Sequence, residues 1–283
     1  MMLHGGHLAQ ESAAPKAAPV DKLGPRPIQD FVGEVRYEVS GLPTSHQPRI
    51  DMPILHSKEP KTHSTDWRPG PLVHSVARFH PPTPNAHPTS LFAPETNIIH
   101  PGARYVRRSN WREVLIYTDG ACSNNGQNNP QAGWAAVYHP SIPNANIQSR
   151  LELRGVDGKP YPQTSNRAEL RAVLGALEYR HWPGEGFLHI VIATDSEYVV
   201  LGMTERLEKW RRTGWKTASG QPVKNRDLWE AIAKKAEDFG KWGTQTQFWL
   251  IPRDWNVADA LAKEAAAKTE VSGEYAQIHG FLV

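Results

Sequence analysis

The chain has 283 residues, 39% of them hydrophobic and 10 of them Trp, enough for one packed core and, at this length, one large or two ordinary domains. Its single cysteine, Cys122, excludes a disulfide framework and a cysteine-rich zinc module and points to a reducing compartment: nucleus, cytoplasm or mitochondrion. A net charge of +3 is too small to argue for a polyanionic partner by itself, and no apolar run reaches the roughly 20 residues that a membrane helix needs.

Residues 1–110 read as a low-complexity, largely disordered segment, because most of the Pro and His lie there and the apolar residues keep no sustained period. The first residues lack the apolar core of a secretion signal, and Glu11 and Asp21 argue against a transit peptide. Val32 to Val39 alternates enough to pair as a strand, whereas TSHQPRID and FHPPTPNAHPTSLFAP break any longer element. A basic cluster, Arg104, Arg107, Arg108 and Arg112, ends the segment.

From Trp111 the texture changes to alternating strands and helices. EVLIYTDG, GWAAVYH and IQSRLELRG read as three strands of an antiparallel meander. NRAELRAVLGALEYR carries Leu170, Val173, Leu174 and Leu177 at helical spacing, and LHIVIATD is a short apolar run suited to a central strand. A short helix after Ser196, a Trp/Arg/Lys segment, a helix in DLWEAIAKKAEDF, a strand at TQFWLI and a helix at NVADALAKEAAAK complete the order β-β-β-α-β-α-α-β-α. The expected fold is α/β, a mixed five-stranded sheet with helices on both faces, spanning 111–270 and followed by a tail, 271–283.

Four acidic residues stand at element ends, and each has an ordinary structural use. Asp119 precedes Gly at the end of a strand, a common turn dipeptide. Glu169 would be the N3 partner of an Asn166 N-cap. Asp195 could cap the helix after it, and Asp259 lies in a first helical turn three residues after Asn256. Together they are harder to excuse: two end strands that neighbour one another, and two begin helices packed on the sheet. Carboxylates gathered at one sheet edge can hold two magnesium ions about 4 Å apart, the arrangement suited to in-line displacement at phosphorus.

IYTDGACSNNG, TSNRAEL, IATDSEYV and NVADALAKEA, in this order and at these intervals, resemble the type 1 ribonuclease H family over roughly residues 113–269, and RDLWEAI with IPR-D-W-N is similar to its fungal members. The resemblance implies the ribonuclease H-like fold and endonucleolytic hydrolysis of the RNA strand of an RNA/DNA hybrid, leaving 5′-phosphate and 3′-hydroxyl ends. It implies two Mg2+ ions, with Mn2+ as a substitute, held by Asp119, Glu169, Asp195 and Asp259. Asp119 would bridge both ions, Asp259 would serve the ion that activates water, and Glu169 and Asp195 the other. Asn124, Ser165 and Asn166 would contact the RNA minor groove, whose 2′-hydroxyls distinguish it from DNA. EKWRRTGWKTASGQPVKNRDLW interleaves aromatic and cationic residues as a nucleic-acid groove does. By likeness to the family's basic protrusion, Trp215 would pack on deoxyribose and Thr164 and Asn225 would hold a DNA phosphate.

One departure stands out. Family members commonly carry a catalytic His just before the last Asp motif, whereas this chain reads WLIPRDWNVAD, leaving Arg253 or Asp254 to assist product release or proton movement. A catalytically weak or inactive hybrid-binding module on the same fold is the alternative reading. Exonucleases and integrases of this fold space their acids differently. Residues 1–110 show no match to the small hybrid-binding domain that often precedes this catalytic domain, and Arg104 to Arg112 is either a solvated linker or an extension of the hybrid surface. Cys122 and His139, His181, His189 and His279 read as packing or surface residues. No leftover apolar stripe argues for more than a monomer, and no small-molecule cofactor or membrane partner is expected.

Overall fold

The computed structural model describes residues 74–95, 104–143 and 145–280. The strand expected at Val32 to Val39 lies outside them. Among the described residues eight strands form one mixed sheet: β1 (Val76–Arg78), β2 (Phe92–Pro94), β3 (Tyr105–Arg107), β4 (Asn110–Ser123), β5 (Gln131–Val137), β6 (Asn146–Arg150), β7 (His189–Thr194) and β8 (Gln245–Leu250). The five expected strands are its centre, with β4 to β6 an antiparallel meander and β4, β7 and β8 parallel.

Val114, Leu115, Ile116 and Tyr117 are all buried, as a strand covered on both faces must be. Val114 and Ile116 join Ile190, Ile192 and Phe248 beneath α2 (Ser165–Glu178) and α5 (Arg226–Gly240). Leu115 and Tyr117 join Val191, Ala193 and Trp249 beneath α6 (Asp259–Ala267). Helices on both faces are therefore present as expected. Between β7 and α5 the chain forms α3 (Glu197–Leu201), a π turn (Gly202–Arg206) and α4 (Leu207–Arg212).

Two glycines set how closely the helices approach. A Cβ on Gly120 would lie 2.1 Å from the Glu169 backbone nitrogen, and one on Gly133 would lie 2.2 Å from that of Ala266. Only glycine lets α2 and α6 sit this near the sheet, so the Gly after Asp119 is a packing requirement; the turn expected at Asp119-Gly120 is not there, since both residues pair with β5 inside β4.

The structure corrects the reading of residues before 111 wherever they are described. β1 adds to the sheet parallel to β8, while β3 pairs with β4 and β2 with β3. FHPPTPNAHPTSLFAP contains both α1 (Pro88–Leu91) and β2. Phe79, Phe92 and Tyr105 are buried on the α6 side of the sheet. Three-residue strands carry no readable period, and isolated aromatics gain burial only from tertiary neighbours. The basic cluster is also neither linker nor ligand surface at its two best-placed members. Arg104 is 1% exposed and donates from Nε and Nη2 to Glu185, both at 2.8 Å, and Arg107 pairs with Glu113 at 2.8 Å. After α6 the tail returns along α2, where Ala276 O accepts from Arg171 Nη2 at 2.8 Å and Tyr179 O accepts from Gly280 N at 2.8 Å.

Candidate active site

The parallel ladder Ile116↔Ile192 and Tyr117↔Ala193, continued two residues, brings Asp119, within β4, beside Asp195, just past the carboxyl end of β7, where the two strands part and β4 runs on to Ser123 against β5 alone. Open α/β sheets place their sites at such ends. Asp119 is 3% exposed. Glu169 arrives from α2, whose backbone Gly120 admits, and its Oε2 is sealed from solvent with no hydrogen-bond partner. Asp259 opens α6.

The ordinary uses of these acids are taken by other residues. The N-cap of α2 is Thr164, not Asn166, and its hydroxyl accepts from Arg167 N at 3.3 Å, so Glu169 lies one turn inside the helix and closes no capping box. Ser196 caps α3, accepting from Val199 N at 3.3 Å, which releases Asp195. Asn256 Oδ1 accepts from Ala258 N at 3.2 Å, and Asp259 makes no cap.

Crowding raises the cost of charge here. Burial first, then the Asp195 and Asp259 carboxylates, push Asp119 up to about 7. Burial, then Asp119 and Asp195, hold Glu169 well above the usual carboxylate range. Asp259 goes the other way: burial raises it, but hydrogen bonds from Lys263 at 2.5 Å and Arg253 at 2.7 Å outweigh that and leave it below the usual range.

The turn Arg253–Trp255, a 3-10 turn between β8 and α6, supplies a cation that faces two of the acids, beside Lys263 on Asp259. Arg253 Nη2 donates to Asp259 Oδ1 at 2.7 Å, and Nη1 lies 3.8 Å from Asp195 Oδ2. Asp254 is exposed on the same turn. With this guanidinium between two of the acids, no three acidic, His or Cys side chains among the described residues converge closely enough to hold one ion as they stand. The donor set nonetheless fits a hard cation: oxygen ligands only, one buried carboxylate oxygen without a partner, and two acids whose ionised forms are disfavoured by burial and by the neighbouring carboxylates.

Asn256 is the residue that sequence reasoning missed. It is 5% exposed, and its Nδ2 donates to Thr118 O at 3.1 Å and to Asp195 Oδ1 at 2.7 Å, tying both strand ends to the start of α6. Its place inside the NVAD motif was the available signal.

Beyond the N-terminal turn of α2 opens a cleft of about 840 Å³ whose walls include Thr164, Asn166, Asn225, Trp210, Lys224 and Arg226. Asn225 takes a left-handed backbone, φ 58°, which Asn tolerates. Its amide Nδ2 donates to the Tyr198 hydroxyl at 3.3 Å and its Oδ1 accepts from Arg167 at 3.4 Å. Arg167 is itself locked to Asp227 by two buried hydrogen bonds of 2.9 and 2.7 Å. Ser165 is the first residue of α2, and Asn124 is exposed in the β4–β5 turn with φ 53°. Trp215 is not brought to the cleft wall. It is 7% exposed and packs in the core with Trp210 beside it and Arg226 over its ring at 5.3 Å, while Lys209, Arg212, Lys216 and Lys224 face solvent. Cys122 is half-buried and burial pushes its thiol up, as befits a packing residue.

A mixed sheet with acids at adjacent strand ends and a basic cleft alongside defines a nuclease-like site. The RNase H family model matches residues 111–267, and the chain belongs to that family. It is 41% identical over 128 residues to a ribonuclease H of Treponema pallidum, covering 44% of this chain and 73% of that protein. It is 43% identical over 122 residues to ribonuclease HI of Pseudomonas aeruginosa, covering 42% of this chain and 70% of that one. With ribonuclease H1 of Homo sapiens the identity is 32% over 162 residues, 56% of this chain and 51% of the human protein. Among the described residues no helix is long and apolar enough to cross a membrane.

Proposed function

We propose that this ribonuclease H cleaves the RNA strand of RNA/DNA hybrids with Asp119, Glu169, Asp195 and Asp259 as the ligands of two Mg2+ ions, leaving 5′-phosphate and 3′-hydroxyl ends. The observation that carries this reading is a crowded set of like charges with a sealed, orphaned oxygen, Glu169 Oε2, where the parallel pairing of β4 with β7 ends. When bound, magnesium supplies a lowered water pKa and charge neutralisation at phosphorus. The chain's own residues do the rest. Asn256 fixes Asp195 toward Asp119, and the Arg253 guanidinium can follow the leaving strand away from the acids.

By likeness to the family, Asn124, Ser165 and Asn166 meet the RNA minor groove and Thr164 with Asn225 a DNA phosphate; of these, Thr164, Asn166 and Asn225 line the cleft. The exposed Lys216 and Lys224 supply cations for the DNA backbone, and the protein works as a monomer. Trp215 reaches deoxyribose only if the hybrid reshapes the cleft, so Trp210 is the better placed aromatic.

Arg253 favours a second reading, a hybrid-binding module, because it already neutralises Asp259. One assay separates the two: full-length protein, MgCl2 and a labelled hybrid, with single- and double-stranded RNA alongside. Internal cuts confined to hybrid RNA and lost in Asp119→Asn support the hydrolase. Retained binding without cuts in MgCl2 or MnCl2 supports the module.

A further inference from the structure

Residues 79–95 precede the family match, yet they pack on the turn that carries Arg253. His87 caps α1, its Nδ1 accepting from Thr89 N at 3.2 Å, and its ring meets Trp255 in an edge contact with centroids 4.7 Å apart at 62°. Trp255 is half-buried against the cluster that holds Phe79, Phe92 and Trp249. On its far side the turn is fixed through Asn256. A single turn at the surface gains a defined direction only from such contacts, because the side chain of Arg253 is itself 65% exposed.

That direction matters because Arg253 points at Asp259 and Asp195, two of the acids assigned to metal. A guanidinium and a divalent cation compete for the same carboxylate oxygens. We propose that the segment from Phe79 to Phe92, acting through the His87 ring on Trp255, is a positioning device that holds Arg253 as the resident counter-cation of Asp259 and Asp195, which metal must displace on loading. The device uses residues that lie outside the family match, and it occupies the turn where a His is otherwise expected. It rests on the four-carboxylate reading above.

The test is calorimetric titration of the full-length protein with MgCl2 and with MnCl2, alongside thermal melting in EDTA. Arg253→Ala should bind metal more tightly by about fivefold, the ratio that matches the upper end of exposed ion-pair strength. His87→Asn keeps a capping side chain and removes the ring, so it should tighten metal binding in the same direction by about twofold. His87→Phe keeps the ring and should bind as wild type. Adding His87→Asn to Arg253→Ala should change nothing further, since a residue acting through another loses its effect when that other is gone. A merely structural His87 would lower the melting temperature and leave metal affinity unmoved, or shift it equally in both backgrounds, and either result overturns the proposal while the carboxylate reading stands. Absence of metal binding by the wild type overturns that reading and this proposal with it.

Discussion

Two charged clusters flank α2, and their difference separates structure from chemistry. Toward the tail, Arg171 is 1% exposed, donates to Glu152 Oε1 at 2.9 Å, lies 3.6 Å from Glu178, and is sandwiched by the rings of Trp134 and Tyr275. Glu178 in turn accepts from the Tyr275 hydroxyl and from Ile278 N. Toward the sheet edge, Asp119, Glu169, Asp195 and Asp259 crowd charges of one sign; Asp195 and Asp259 have side-chain partners, whereas for Asp119 and Glu169 burial and the neighbouring acids outweigh the Gly120 amide and the more distant Arg253. Buried opposite charges that satisfy one another hold a fold together, whereas buried like charges left unsatisfied are kept for a ligand.

The sharpest way to break the contrast is to neutralise one member of each cluster. Glu169→Gln should lower kcat on hybrid RNA by about 10⁴-fold, a loss of roughly 5 kcal/mol in the transition state, with the melting temperature unchanged or raised. Single-turnover cleavage beside a melting curve checks both halves. Arg171→Ala should do the opposite: about 3–5 kcal/mol of stability lost, because the Glu152 and Glu178 carboxylates remain buried without their cation, with kcat per folded molecule close to wild type. Urea unfolding measures it, and equal stability would mean the tail and Glu152 are held by other contacts.

Acidity gives a third, smaller test. The folded-state value of Asp119, raised to about 7 from an ordinary 3.8, means that the proton is favoured by folding. Its contribution is present in full below about pH 4 and disappears as pH rises through about 7. In EDTA, Asp119→Asn should therefore be more stable than wild type at pH 8 by about 1–3 kcal/mol, with the gain fading toward pH 4. A constant difference across this range would mean that Asp119 carries no such shift. The smallest effect belongs to the cleft. Lys224→Ala should weaken hybrid binding by about 1 kcal/mol or less and reduce the slope of log K against log salt by about 0.9, read from titrations at several salt concentrations.

Much of this was legible from local pattern. The apolar run Val114 to Tyr117, the helical spacing of Leu170, Val173, Leu174 and Leu177, and the four acidic motifs each lie within one element, so composition and period reveal them. The caps were misread because Thr164, Asn166 and Ser196 all suit an N-cap by type, and only backbone conformation chooses among them. Trp215 was given to the ligand by likeness to the family's basic protrusion, and the alternation of aromatic and basic residues around it is one that a core Trp with solvated neighbours also produces. Asn256 was read only as a candidate cap ahead of Asp259, because two of its partners, Thr118 and Asp195, come from distant elements.

By itself, then, the sequence determined the order of the central elements and the family, and it put forward the four acidic motifs, all of them matters of local period and motif spacing. Tertiary structure alone decided that Val76–Arg78, Phe92–Pro94 and Tyr105–Arg107 extend the sheet, that Arg104 and Arg171 are buried partners of acids, and that Arg253 rests on Asp259. The reason is physical. Strands of three residues, single aromatic anchors and ion pairs spanning 81 positions, as from Arg104 to Glu185, have no energy until the chain has closed the loops that bring them together.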